Sequence, residues 1–408
     1  MYNDAQEIIK SAITAALPDT AVAEALKDYD FGKGRIVLVA IGKAAWQMAK
    51  AASDILGERI TSGVVVTKYQ HVMGELPRII CCEAGHPVPD RNSFAGTQKA
   101  IDAVQHLTAD DTVLFLVSGG GSALFEKPLV SEETLTSLTN QMLASGADIV
   151  EMNTIRKRIS AVKGGRFAKL CAPAKVFSIV LSDILGDPLD MIASGPAYPD
   201  RSTCEQAMAI AEKYKLQLDD ATKELLAKET PKLLDNVVTK ITGSVRQLCV
   251  AAFKACEELG YTPIILTDSL CCTAADAGSF LASIARYHSN SEKSLAFIAG
   301  GETVVRLTGT GKGGRNQEIA LSAADGIAGL TQTAVFSFGS DGTDGPTDAA
   351  GGYADGTSKA RLTGKGMDLQ SYLSNNDAFH ALKAINGLIM TGPTGTNVND
   401  LSVLLIKR

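Results

Sequence analysis

Residues 112–125 read TVLFLVSGGGSALF, a strand-length apolar run followed by three glycines and a helix-compatible segment. Six consecutive apolar or β-branched residues are typical of a strand covered on both faces, as in a parallel sheet flanked by helices. Ile36–Ile41 and Val176–Leu181 repeat this pattern, and Phe94–Leu107 places apolar residues at helical steps of three and four. Because such strands alternate with helices, the sequence predicts an α/β fold.

Further strand-like runs continue toward the C-terminus, and a polar, helix-favouring stretch interrupts them at residues 201–246. The other predicted strands are Gly63–Thr67, Pro263–Thr267, Ala296–Ala299, Ala334–Phe338, Leu388–Thr391 and Ser402–Ile406. We place a domain boundary within residues 232–244 and predict two unlike three-layer α/β/α domains, residues 1–238 and 239–408. A cleft between two such domains is a typical place for a small-molecule site.

Composition narrows the classes of partner. The 408 residues contain 39 Lys+Arg and 45 Asp+Glu, so the formal net charge is −6, and no basic run points to a nucleic-acid partner. No apolar run approaches the roughly 20 residues of a membrane-spanning helix, and the first 20 residues lack a signal-peptide layout. Eight cysteines without any CxxC spacing indicate reduced thiols rather than a zinc site. We therefore expect a cytoplasmic protein that binds neither nucleic acid nor membrane.

The glycine-rich loop after the strand at 112–117 is a candidate anion site. It comprises Ser118, Gly119, Gly120, Gly121 and Ser122, and successive glycines allow backbone N–H groups to converge on an anion. The alternative is a tight structural turn.

Lys43 lies in an IGKAA segment, between a predicted strand and the helix that follows. A cation at a helix N-terminus opposes the helix dipole, so an anionic ligand would explain the choice of lysine. A solvated surface lysine is the alternative interpretation.

Two segments near the middle of the chain add charge. The basic run at residues 153–166 suggests carboxylate or phosphate recognition, for which we favour Arg156, Lys163 and Arg166; for Lys157 and Arg158 we expect a solvated helix face.

Asp183 follows the predicted strand that ends at Leu181, where a carboxylate can hold Mg²⁺ or accept a hydroxyl proton, although an Asx turn would also explain it.

Four Gly-, Asp- and Asn-rich segments recur at the strand–helix junctions of the C-terminal half. They carry Glu302, Asn316, Asp341 and Asn397. Each could be ordinary turn chemistry, but four together suggest the lining of one site.

Residues 309–314, GTGKGG, formally match the GxGxxG dinucleotide pattern. That pattern needs an acidic residue about 20 positions further on, whereas Asp341 lies 27 beyond Gly314. A glycine-rich connection between a strand at Thr303–Leu307 and a helix opening at Asn316 is an equal alternative. No GxxxxGK[ST] motif occurs, and the DFG string at residues 30–32 has no accompanying HRD, so the kinase motif set is absent and the common nucleotide scaffolds are excluded. His86 is interpreted as a core or loop residue rather than a catalytic base, with a place at the rim of the cleft as the alternative.

Taken together, the motifs resemble one family along nearly the whole chain. The strings VSGGGSALFEKP, MNTIRKRISAVKGGR, SDILGDPLDMIASGP, GGETVV, GKGGRNQE, SDGTDGPTDAAGG and GPTGTNVNDL are similar, in this order, to the glycerate 2-kinases with a C-terminal MOFRL domain. The resemblance implies a Rossmann-like N-terminal domain with a parallel sheet and a C-terminal domain with a mixed sheet. It also implies transfer of the ATP γ-phosphoryl group to the 2-hydroxyl of D-glycerate, with Mg²⁺.

The resemblance also implies that Lys43 and Arg315, one from each domain, are catalytic, and we expect domain closure on binding. Residues 118–122 would bind phosphate or the glycerate carboxylate, Arg156 would assist with the carboxylate, and Asp183 would act as base or metal ligand. Some similar proteins are called hydroxypyruvate reductases, so an NAD(P)H-dependent reductase is the first alternative. A non-catalytic sugar-acid binding protein is the second, and the assembly state is left open, with a homodimer as one option.

Overall fold

A computed structural model describes all 408 residues of the chain, which divide into two compact units. The N-terminal unit comprises Ala21–Ser182 and Asp187–Thr242. The C-terminal unit comprises Met1–Thr20, Asp183–Gly186 and Gly243–Arg408. No helix is long and apolar enough to cross a bilayer.

Twelve strands form two six-stranded sheets. The N-terminal sheet contains β1 Ile36–Ile41, β2 Ile60–Lys68, β3 Ile79–Ala84, β4 Thr112–Val117, β5 Lys175–Leu181 and β6 Val237–Gly243. The C-terminal sheet contains β7 Thr262–Leu270, β8 Leu295–Gly301, β9 Thr333–Gly339, β10 Gly351–Asp355, β11 Leu388–Ile389 and β12 Asp400–Ile406.

Sixteen α-helices connect and cover these strands. The first ten are α1 Tyr2–Ala16, α2 Pro18–Leu26, α3 Ala45–Leu56, α4 Arg91–Ala103, α5 Gly121–Leu124, α6 Glu132–Ala144, α7 Ile149–Arg158, α8 Arg166–Cys171, α9 Cys204–Lys213 and α10 Asp220–Leu226. The others are α11 Val245–Glu258, α12 Ala274–Tyr287, α13 Arg315–Gly326, α14 Ser358–Thr363, α15 Leu369–Ser374 and α16 Ala378–Ala384. Short 3₁₀ turns occur at Gly57–Arg59 and Ile192–Ser194.

The N-terminal sheet has the strand order β3-β2-β1-β4-β5-β6, and the pairs from β3 to β5 are parallel. Every residue of β1 and β4 is buried, as their continuous apolar sequences predict. The strand order reverses between β1 and β4, where Ile41 pairs with Val117. This arrangement confirms the predicted Rossmann-like parallel sheet, and its reversal point is where such folds bind ligands.

The C-terminal sheet is mixed, with the order β11-β10-β9-β12-β8-β7, which confirms the second predicted architecture. Strand β12 runs antiparallel to both neighbours, and Asp400 at its start lies opposite Gly301 of β8 and Gly339 of β9. The start of β12 therefore shares one edge of the sheet with the carboxyl ends of β8 and β9.

Helices cover both faces of each sheet. In the N-terminal unit, one hydrophobic cluster joins one face of the sheet to α4 and α8, and another joins the opposite face to α2 and α3. In the C-terminal unit, α1 and α11 pack on one face and α12 and α13 on the other. A separate small core forms among α6, α7, α9 and α10.

Two features differ from the sequence-based expectations. We had assigned Met1–Thr20 to the N-terminal domain, but α1 buries Ile8, Ile9 and Ala12 in one cluster with α11 and the C-terminal sheet. The predicted strand Thr303–Leu307 is wrong, because Val304 forms only an isolated bridge with Thr273. Helix α12 begins at the next residue, so no partner strand continues the pairing.

Candidate functional site

In the N-terminal unit, two loops leave the sheet side by side at the reversal point. The N–H of Lys43 donates to the carbonyl of Gly119 (2.9 Å), and the Ser118 hydroxyl accepts from the N–H of Ala44 (3.1 Å). A Cβ at Gly42 would lie 2.3 Å from the Ser118 Oγ, so this close approach requires glycine. The N–H groups of Gly119 and Gly120 make no hydrogen bond with the protein. The loop is fixed in place and keeps backbone donors for a ligand.

The side chains of Lys43 and His86 both lie close to Gly120. Gly120 has φ +83°, and a Cβ there would lie 3.0 Å from the His86 Cδ2 and 3.2 Å from the Lys43 Cγ. Burial lowers the pKa of His86, and the charges of Lys43, Lys68 and His71 lower it further. The partly buried Lys43 side chain has no ion pair and no hydrogen bond in the structure. Lys43 thus lies beside open N–H groups, an arrangement that suits an anion.

Most cationic side chains of the basic run at residues 153–166 bond to other parts of the protein. The expected solvated face of Lys157 and Arg158 is wrong: both are buried, Lys157 is 3.1 Å from Asp200, and Arg158 donates to two carbonyls and a hydroxyl. Arg166 donates to the carbonyls of Arg158 and Ser160. These side chains are used to hold the fold because buried cations need acceptors.

Lys163 supports the glycine loop from within the protein. Its buried ammonium donates to the carbonyls of Ser122 (2.8 Å) and Phe125 (2.9 Å) and lies 3.2 Å from Glu126. Burial lowers its pKa, and the charge of Glu126 opposes the shift. We predicted Lys163 as a ligand-binding residue, but its donors are directed to the protein.

The C-terminal unit contains a cavity of about 820 Å³ at the carboxyl ends of β8 and β9. Five of the predicted site residues line it, namely Asp183, Glu302, Arg315, Asp341 and Asn397. The sixth predicted residue, Asn316, lies outside the lining and is buried: its side chain accepts from the hydroxyl of Ser337 and donates to Asp344. Its position indicates a structural role.

Arg315 is held at both ends of its guanidinium. Its Nε and one terminal nitrogen donate to the two oxygens of Asp400, and the other terminal nitrogen donates to Glu302 (2.8 Å). Burial alone would lower the pKa of Arg315, but Asp400 and Glu302 raise it, so the side chain stays charged. Burial also raises the pKa of Asp400 to about 6, despite the opposing charge of Arg315. Bidentate pairing fixes the direction of the guanidinium.

The helix that carries Arg315 begins on a buried carboxylate. Asp344 accepts hydrogen bonds from the N–H groups of Asn316 (3.1 Å) and Gln317 (2.9 Å), the first-turn donors of α13. Burial raises the pKa of Asp344. A Cβ at Gly314 would lie 2.3 Å from the Asp344 Cγ, so glycine is required there.

The GxGxxG string forms a protein-packed loop. Thr308 and Gly309 donate their N–H groups to the Asn376 side chain, and Thr310 and Gly311 donate to the side chain and carbonyl of Asn375. A dinucleotide fingerprint instead directs backbone N–H groups at a pyrophosphate. Its glycines allow close packing, because a Cβ at Gly309 would lie 2.4 Å from the Asn375 Cα.

The cavity is rich in oxygen donors that suit Mg²⁺. Asp183 and Asp341 line it, and the side-chain oxygens Asn399 Oδ1 and Thr303 Oγ1, on two other lining residues, are buried without a hydrogen-bond partner. No three carboxylates of the cavity lining converge into a closed protein cage. That pattern fits Mg²⁺, which takes one or two protein carboxylates together with phosphate oxygens and waters.

Three further residues of this cavity, Asp400, Asn399 and Thr303, lie within the Gly-, Asp- and Asn-rich segments predicted to line one site, but they were not singled out. Asp400 directly precedes the apolar run Leu401–Ile406, whereas Asp183 follows its strand. Asn399 has φ +68°, a conformation that is uncommon for residues other than glycine and clusters at functional sites. An acidic residue directly before an apolar strand was the sequence signal that could have identified Asp400.

The chain matches two family descriptions. Residues 4–227 match a domain of unknown function, DUF4147, and residues 295–400 match the MOFRL family. The D-glycerate 2-kinase of Thermotoga maritima is 51% identical over 98% of this chain and 97% of its own. The glycerate 2-kinase of Pyrococcus horikoshii is 40% identical over 98% and 96%.

Solved structures agree along the whole length. The crystal structure of the Thermotoga maritima glycerate kinase superposes with a TM-score of 0.94, at 50% identity over 99% of both chains. A Pyrococcus horikoshii protein superposes with a TM-score of 0.95, at 40% identity over 100% of this chain and 98% of its own. A relative from Agrobacterium vitis, 40% identical over 91% of this chain and 100% of its own, carries a provisional hydroxypyruvate reductase name.

Proposed function

Since the chain belongs to the glycerate kinase family that joins a DUF4147 region to a MOFRL region, we propose that it is a D-glycerate 2-kinase. The reaction transfers the γ-phosphoryl group of ATP to the 2-hydroxyl of D-glycerate, giving 2-phosphoglycerate and ADP. The observation that carries the proposal is the unpaired Lys43 beside the open N–H groups of Gly119 and Gly120, at the reversal point of a Rossmann-like sheet.

Phosphoryl transfer requires charge neutralisation and alignment more than covalent chemistry from the protein. Lys43 has no competing carboxylate, so its side chain is free to meet phosphoryl oxygens as negative charge develops on them. Ser118 and Gly121 complete the fixed loop, and Ser122 is held through its carbonyl by Lys163. A rigid loop avoids reorganisation during the reaction.

Arg315 contributes the second positive charge of the mechanism. Asp400 and Glu302 orient its guanidinium at the wall of the C-terminal cavity, where its side chain remains 33% exposed. An arginine fixed in this way can meet a phosphoryl oxygen without losing conformational freedom at that moment. In this proposal the carboxylates of Asp400 and Glu302 position the arginine and do not touch the substrate.

Asp183 has two candidate roles at the same cavity. It accepts the proton of the 2-hydroxyl or, together with Asp341, it holds Mg²⁺; Asn397 lines the same wall. When bound, Mg²⁺ neutralises charge on the phosphate oxygens of ATP. We place the reaction in the cytoplasm, which is consistent with eight cysteines that all carry free thiols.

A reductase would need a dinucleotide site, and the name of the Agrobacterium relative keeps that alternative open. The N–H groups of the GxGxxG string are bonded to Asn375 and Asn376, which favours the kinase.

The test uses purified chain in three parallel assays. With D-glycerate, ATP and Mg²⁺, ADP release is followed by coupled NADH oxidation, while product conversion by enolase without phosphoglycerate mutase reports phosphorylation at carbon 2. Hydroxypyruvate with NADH or NADPH is the third assay. Enolase-competent product supports the proposal. Oxidation of NADH or NADPH with hydroxypyruvate, without ADP release from ATP and D-glycerate, would establish a reductase. Binding of D-glycerate with neither reaction would establish a binding protein. A requirement for the mutase would move phosphorylation to carbon 3.

A further inference from the structure

Arg156 is the one cation of the run 153–166 that has no acceptor in the protein. Its neighbours along the chain are all bonded: Lys157 to Asp200, Arg158 to Ser202, Lys163 to the glycine loop and Arg166 to two carbonyls. Arg156 is partly buried, and its side chain takes part in no hydrogen bond or ion pair. One member of a basic segment is thus left with its donors unused.

An arginine in this state is energetically unfavourable without a ligand. Burial lowers the pKa of Arg156, and the charge of Glu126 only partly opposes that shift. A partly buried guanidinium that lacks acceptors loses hydration without replacing it, which is unfavourable. An anionic ligand would supply the missing acceptors.

The neighbours of Arg156 show which way it faces. Asn153 lies three residues earlier on α7 and therefore on the same face of the helix. Its Oδ1 accepts from the Ser194 hydroxyl (3.0 Å), which is also 3.0 Å from the hydroxyl of Ser122 in the glycine loop. This face of α7 is therefore turned toward the loop.

Local charge distinguishes the kind of anion. Lys163 and Glu126 are paired, so the group formed with Arg156 carries a net charge of about +1. That matches one carboxylate better than a polyphosphate, which calls for several cations, and a guanidinium binds the two oxygens of a carboxylate in a bidentate manner. Lys43 lies in the same unit and is left for the phosphoryl group.

We infer that Arg156 binds the carboxylate of the 2-hydroxy acid substrate and so determines its selection over neutral polyols. This inference rests on the proposed function and assigns the acid-recognition part of the same site. Glu126 and Lys163 support the loop: Lys163 donates to the carbonyls of Ser122 and Phe125 and pairs with Glu126, so it keeps no free donor for the acid.

The test compares wild type, Arg156→Met and the conservative Arg156→Lys by calorimetric binding of D-glycerate, of its neutral amide glyceramide, and of ATP. We expect Arg156→Met to weaken D-glycerate binding by about a hundredfold, with glyceramide and ATP affinities changed less than about twofold. Arg156→Lys, which keeps the charge but loses the fork, should recover part of the affinity. Lys169→Met, an exposed lysine on α8, is the matched control and should leave all three unchanged.

Several outcomes would overturn the inference. Loss of ATP affinity with D-glycerate binding intact would assign Arg156 to the nucleotide, and equal losses for D-glycerate and glyceramide would make its role structural. If Arg156→Met does not fold, as judged by circular dichroism, the Arg156→Lys result decides. If the wild type binds no D-glycerate, the proposed function fails by itself; Arg156-dependent binding of another 2-hydroxy acid such as lactate would then uphold the carboxylate site, and its absence would overturn it.

Discussion

The Arg315–Asp400 pair makes a prediction about pH that does not depend on catalysis. Asp400 is buried, and its pKa is raised from the ordinary 3.8 to about 6. A carboxyl group whose pKa is higher in the folded chain contributes most stability at low pH, and that contribution is lost as the pH rises through about 6. Asp400→Asn removes the titration, so wild type should gain stability relative to the variant as the pH falls.

The magnitude follows from the two pKa values. Between pH 7.5 and pH 5, a shift from 3.8 to about 6 corresponds to about 1.4 kcal/mol, or roughly tenfold in an opening equilibrium. Loss of the bidentate contact with Arg315 adds an offset that is the same at both pH values. The pH dependence can therefore be separated from the offset.

Hydrogen exchange measured by mass spectrometry on β12, Asp400–Ile406, reports opening of this part of the C-terminal unit. Wild type and Asp400→Asn are compared at each pH, so the intrinsic pH dependence of exchange cancels. We expect protection of β12 in wild type to improve about tenfold relative to the variant between pH 7.5 and pH 5. A constant ratio, or one that moves the opposite way, would refute the reasoning and show that the charge of Arg315 outweighs burial.

Three other predictions concern the site and its support. Lys43→Ala and Arg315→Ala should each lower kcat by about a hundredfold or more with an unchanged circular dichroism spectrum, as expected for groups that neutralise charge in the transition state; unchanged turnover in either variant would remove that residue from the mechanism. Gly314→Ala should lower the free energy of unfolding by about 1–3 kcal/mol, because its Cβ would lie 2.3 Å from the Asp344 Cγ. In the matched control Gly364→Ala the nearest atom is 3.3 Å away, so denaturant midpoints should differ between the two variants. Chelation of Mg²⁺ by EDTA should abolish ADP formation and excess MgCl₂ should restore it, whereas turnover that persists in EDTA would contradict the proposed metal.

Much of the fold could be predicted because its strands carry local signals. The predicted bounds of β1 and β4 agree with the structure to the residue, since both are short, apolar and buried throughout. Strands β3, β6 and β10 were missed: β3 and β6 are only partly buried and contain polar residues that weaken the pattern, and β10 begins with two glycines. The strand predicted at Thr303–Leu307 was wrong because its apolar residues lacked a partner strand.

The structure places only some of the predicted site residues in the C-terminal cavity. Glu302, Asp341 and Asn397 line the C-terminal cavity as expected, whereas Asn316 is directed at Asp344 and Ser337. Sequence position could place each residue at a strand end but could not tell which side of the loop its side chain takes. That choice depends on packing against elements distant in the chain.

The sequence by itself determined the α/β class, the glycine loop after β4 and the cation after β1, because residues that are adjacent in the chain encode each of these features. The tertiary structure alone decided which charged side chains are paired or hydrogen-bonded inside the protein. Arg315 meets Asp400 85 residues away, and Lys163 meets the carbonyl of Ser122 41 residues away, leaving Lys43 and Arg156 without acceptors. The physical reason is that a charge is neutralised by whatever lies within a few ångströms of it in space, and chain folding sets those neighbours.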